Sequence, residues 1–94
     1  MINIKDFNFL YSKIYVIDGI ENYNVHISYV SSQNKYRYVS IRFPEKKIID
    51  AAGFDEDERQ EVLNYCIKHI TDIYENSKKE GYGDIKDLIE QGYI

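Results

Sequence analysis

The chain has 94 residues and one domain's worth of apolar content, 44% hydrophobic with 30% charged, which excludes a disordered composition and leaves room for a single core. A net charge of −4 argues against a general nucleic-acid binder, and a single cysteine, Cys66, excludes an internal disulfide. No apolar run approaches the roughly 20 residues that span a membrane, and residues 1–6 carry no charged-then-apolar leader pattern, so a cytoplasmic protein is expected.

In chain order, residues 2–17 alternate loosely through Ile2 and Ile4, then Phe7, Phe9 and Tyr11, then Ile14 and Val16. The parity changes near Ser12-Lys13, which predicts a break or bulge there. Ile14–Ile17 is the better strand, and Asp18-Gly19 after it is a strong turn signal. Residues 23–30 alternate cleanly, with Tyr23, Val25, Ile27 and Tyr29 on one face and Asn24, His26 and Ser28 on the other. The polar stretch 31–35 has hairpin length. Residues 36–43 repeat the pattern, with Val39, Ile41 and Phe43 inward and Tyr36, Tyr38, Ser40 and Arg42 outward. The only proline, Pro44, closes this pattern, and residues 45–54 read either as a further strand or as a bend over the core.

A helix is predicted over residues 55–79. Asp55 is its N-cap, Glu58 completes a capping box, and Phe54 is placed to staple against Arg59 or the next apolar turn. Val62, Leu63, Cys66, Ile67, Ile70, Ile73 and Tyr74 make one apolar stripe. Gly81 and Gly83 end it, and a short helix over 84–91 follows, capped by Asp84 with Ile85, Leu88 and Ile89 as contacts and a docked tail at Gly92–Ile94. The expected fold is α+β: a three- or four-stranded antiparallel sheet, one long helix on its apolar face and a short C-terminal helix.

Catalytic and metal signatures are missing. His26 has no Cys or His three to five residues away, Cys66, three residues before His69, sits inside the apolar stripe, and the five glycines fit no phosphate loop. No cofactor and no enzymatic activity are expected. Two surfaces stand out as partner-binding candidates. One is the outer sheet face, with Tyr36, Tyr38, Arg42 and His26, since Tyr and Arg are enriched in interface hot spots. The other is the acidic start of the helix, with Asp57, Glu58 and Glu61. Residues 51–94 hold eleven of the sixteen acids, a charge that suits a basic partner. A free edge strand would also permit a homodimer by strand addition.

By its short length, acidity, sheet-then-helix order, many tyrosines and lack of a catalytic signature, the chain resembles the small phage-encoded inhibitors of bacterial defence systems, the anti-CRISPR proteins among them. That resemblance implies a protein that blocks a larger host protein or nuclease complex by occupying a surface. Asn24-Val25-His26-Ile27, together with Gly53-Phe54-Asp55 through Leu63, is also similar to small DUF4160-type proteins of toxin–antitoxin-like loci. The paired histidines of that family's strand are represented here by His26 alone, with Asn24 at the other position. This second likeness implies an antitoxin-like regulator that binds a cognate toxin or nucleic acid.

Overall fold

A computed structural model describes residues 3–30 and 35–90. The expected role of Ile2, most of the polar loop after residue 30 and the docked tail at Gly92–Ile94 lie outside the described residues, as do the side chains of Ile85 and Leu88.

The organising element is an eleven-residue strand, β3 (Ile20–Val30), which follows β1 (Asn8–Tyr11) and β2 (Tyr15–Ile17) in the chain. Both earlier strands pair antiparallel with it on one side, β2 at Ile20–Asn22 and β1 at Val25–Ser28. The predicted break near Ser12-Lys13 is the step between them. The Ser12 N–H donates to Asn24 O (2.9 Å), and the Asn24 N–H donates to Ser12 Oγ (2.7 Å). Asp18 and Gly19 have φ of 52° and 79°, so both central residues are left-handed, as a type I′ hairpin requires. That tight turn sets Ile17 opposite Ile20, so β3 begins three residues earlier than its alternation suggested.

On the other side β3 pairs with β4 (Tyr36–Phe43), and β4 pairs with β5 (Lys47–Ala52). The sheet is therefore five-stranded, not three- or four-stranded, because residues 47–52 form a full edge strand. A register shift opposite Ser40/Ile41 leaves Ile49 without a partner. The bulge turns Ile48 and Ala51 to the core side and Lys47 and Asp50 to the other, which hides the period of two in the sequence.

The helical layer also departs from expectation. One long helix is replaced by α1 (Glu56–Lys68) and α2 (Ile70–Glu80), separated at His69, whose backbone sits at φ −108° and ψ 27°. The His69 N–H is shared between the carbonyls of Tyr65 (3.1 Å) and Cys66 (3.2 Å). The bend keeps the second half on the sheet: Ile73 is buried, and Tyr74 meets Tyr23 edge-on at 5.5 Å. A short α3 (Ile85–Glu90) follows, with the Lys86 N–H bonded to Asp84 Oδ1 at 3.0 Å.

At the start of α1 the capping box forms as predicted. Asp55 Oδ1 accepts from the Glu58 N–H (2.8 Å), and Glu58 Oε1 accepts from the Asp55 N–H (3.0 Å). Phe54, however, stacks on Phe7 (5.8 Å) beneath the Arg37 guanidinium, 5.9 Å from the ring centre.

The core lies between the inner sheet face and the helices. Val25, Ile27, Val39, Ile41, Phe43, Val62 and Cys66 are fully enclosed. Burial pushes the Cys66 thiol up to about 12, so it stays protonated and packs as a small hydrophobe. A second tie holds the two ends of the fold together. Tyr74 and Tyr82 both donate hydroxyls to Glu21, with Tyr82 at 2.9 Å.

Phe43→Ala should cost about 3–5 kcal/mol, a large part of the ~5–15 kcal/mol expected for such a domain, whereas Leu10→Ala should be near neutral; urea titration followed by circular dichroism separates the two. The hydrogen bond to Glu21 pushes the Tyr82 phenol up to about 12. A folded value above the unfolded one near 10 stabilises below that pH, and the contribution is lost as the pH rises toward 12. Tyr82→Phe should therefore melt lower than the wild type at neutral pH, with the gap narrowing through the alkaline range of a thermal scan.

Candidate outer-face interaction site

Strand alternation decides what the outer sheet face shows. With Val25 and Ile27 inward, Asn24, His26, Ser28 and Val30 point outward, and β4 adds Tyr36, Tyr38, Ser40 and Arg42. The flanking strands contribute Leu10 opposite His26 and Asp50 opposite Ser40. The outward placement expected for His26, Tyr36, Tyr38 and Arg42 is what the register produces.

The side chains are locked to one another. His26 Nδ1 lies 2.7 Å from Ser40 Oγ, and its Nε2 lies 2.9 Å from the Tyr36 hydroxyl. The imidazole stacks on Tyr38 at 5.2 Å, and Tyr38 continues to Tyr36 at 5.6 Å. The Tyr38 hydroxyl donates to Asp50 Oδ2 at 3.0 Å, and that bond first, with lesser burial and charge effects, raises the Tyr38 pKa. Three rings thus form one continuous layer whose polar atoms are already satisfied. Around it Leu10, Val30 and Tyr36 are 65%, 54% and 53% exposed, so the layer is open and its rim is apolar.

Ser40 and His26 have the spacing of a nucleophile and a base, but the third partner of the imidazole is a phenol. Asp50, the carboxylate within reach, is bonded to Tyr38. The pair lies, among the described residues, on an open face of the sheet. Among the described residues, no three His, Cys, Asp or Glu side chains gather as metal ligands, and no helix is long and apolar enough to cross a membrane.

The acidic candidates lie on the other layer, so the two predicted surfaces are not contiguous. Asp57 and Glu61 are exposed. Glu58 is committed: one oxygen closes the capping box, and the other lies 3.9 Å from Arg37. Sequence reasoning placed Ser40 outward but missed Leu10 and Asp50 as members of the outer face. Only the pairing of β1 and β5 brings them there, and the bulge conceals the parity of Asp50.

The sheet edge is also modified. Asp50 Oδ1 accepts from the Ala51 N–H at 3.0 Å, which occupies a donor of the edge strand beside the bulge. Bulges, charges and occupied donors all blunt strand addition. No family model matches the chain, and no curated protein or solved structure matches it either.

Asp50→Ala releases both the Ala51 donor and the Tyr38 hydroxyl. It should raise self-association, seen as a concentration-dependent mass in sedimentation equilibrium, and an unchanged mass would show that the bulge alone protects the edge.

Proposed function

We propose that the chain is a non-enzymatic interaction module that works in the cytoplasm as a phage or mobile-element inhibitor, blocking a larger host defence protein by surface binding. The observation that carries this reading is the locked, solvent-open ring layer of His26, Tyr36 and Tyr38, rimmed by Leu10 and Val30. Rings held in place before contact lose little freedom on binding, and hot spots are built from such rigid aromatic anchors inside a rim that excludes water. Arg42, on the same face, extends the surface at its β5 side. Asp57 and Glu61, with the partly engaged Glu58, supply negative charge that would speed approach to a basic protein rather than add contact at the ring layer. Host nucleases present basic surfaces of this kind to their substrates.

The test is capture of a partner from nuclease-treated host lysate by the tagged chain, repeated with Tyr36→Ala/Leu10→Ser. One stoichiometric protein should be retained by the wild type, and the double variant should lose on the order of 2 kcal/mol, or about thirtyfold in affinity. Asp57→Lys/Glu61→Lys should instead slow association and weaken its salt dependence. Retention of the partner by the ring variant, or loss of all binding on nuclease treatment, would overturn the reading. A captured protein that is encoded beside the chain's own gene and toxic alone would make it an antitoxin-like regulator.

A further inference from the structure

The break at His69 does more than bend the helical layer. It opens a groove of about 280 Å³ between the start of the chain, β1 and the α1–α2 junction, on the side of the sheet away from the ring layer. Phe9, Tyr11, Tyr65 and Ile73 line its walls, and Lys5, His69 and Asp72 are its charged or polar residues. Phe9 lies 6.1 Å from Tyr65 and 6.4 Å from Tyr11, while Tyr65 lies 4.4 Å from the His69 ring, so four rings bound one small space.

The polar groups in this groove are unequal. Lys5 has no ion-pair partner, and the Tyr11 and Tyr65 hydroxyls have no hydrogen-bond partner, among the described residues. The one carboxylate, Asp72, is 79% exposed and faces His69 Nδ1 at 3.8 Å. Flat apolar walls are therefore combined with one unpaired cation and two unused hydroxyl donors, while the one lining carboxylate, Asp72, is largely exposed beside His69 and also acts on the Tyr11 hydroxyl, whose pKa is raised chiefly by burial. A cationic ligand would meet Lys5. A neutral one would accept from the hydroxyls but leave the Lys5 charge unmatched.

We infer that this groove binds a small planar aromatic acid, with its ring among Phe9, Tyr11 and Tyr65 and its carboxylate held by Lys5 and the tyrosine hydroxyls. Charge-assisted hydrogen bonds to a carboxylate are the strong kind, and a groove of this size accommodates a single ring with its substituent. The site is independent of the proposed partner surface, since no residue is shared with the ring layer.

The experiment is a titration of the isotopically labelled full chain with 4-hydroxybenzoate, followed by amide and aromatic chemical shifts, with 4-hydroxybenzamide and benzylamine as controls. The acid should give saturable shifts confined to Phe9, Tyr11, Tyr65, His69 and their neighbours. The amide, the amine and the Lys5→Gln chain titrated with the acid should each bind about tenfold more weakly or worse. Lys5 is exposed, so this variant should keep the wild-type spectrum elsewhere. No saturation up to the solubility of the acid, equal shifts from benzylamine, or full binding by Lys5→Gln would overturn the inference.

Discussion

The register of β3 is the constraint on which the molecule depends. This strand is paired along one side by β4 and along the other by β2 and then β1. Its alternation places Tyr23, Val25 and Ile27 in the core and His26 outside. A slip of one residue would bury the imidazole and expose three large apolar groups. The Asp18–Gly19 turn, with both residues left-handed, allows only one pairing of the hairpin and so guards against that slip. The ring layer on the outer face exists because the inner face is satisfied in the same register.

The tyrosine excess resolves into separate tasks. Tyr23 is inside, stacked on Phe43 at 5.5 Å, where burial raises its pKa. Tyr74 and Tyr82 use their hydroxyls to fasten the helical layer to Glu21. Tyr36 and Tyr38 build the outer layer, where a phenol can stack with its face and still bond with its tip. A leucine or phenylalanine at these positions would keep the area and lose the anchoring atom that makes each ring immobile.

Much of this could be read from residue order, for reasons that also explain what could not. Strands 23–30 and 36–43 alternate without interruption, so their faces and the outward set of His26, Tyr36, Tyr38 and Arg42 were legible. Asp55 with Glu58 announces a helix start by a local rule. The edge strand was not legible because the bulge at Ile49 changes parity in mid-strand. The break at His69 was hidden because Val62, Cys66, Ile70 and Ile73 keep helical spacing straight through it, with no Gly or Pro to mark it. The hydrogen bond between Tyr36 and His26 crosses diagonally between strands, and the groove gathers side chains from four segments. Distances of that kind are properties of the assembled fold rather than of any one window.

The short parallel bridge between Ile14 and Tyr82 has a kinetic meaning. The Ile14 N–H donates to Gly81 O and the Gly83 N–H to Ile14 O, both at 2.9 Å, and a side chain on Gly83 would strike the Tyr15 ring, 2.3 Å from where its Cβ would stand. A strand made early in translation is thus completed by a segment made late. The β3–β4–β5 meander can assemble from neighbours in sequence, but β2 remains open on one side until residues 81–83 arrive. Contacts of such long sequence separation slow folding, so the last native step should be the docking of this glycine-flanked segment, with the β2 margin as the most exposed part of the nascent chain until then.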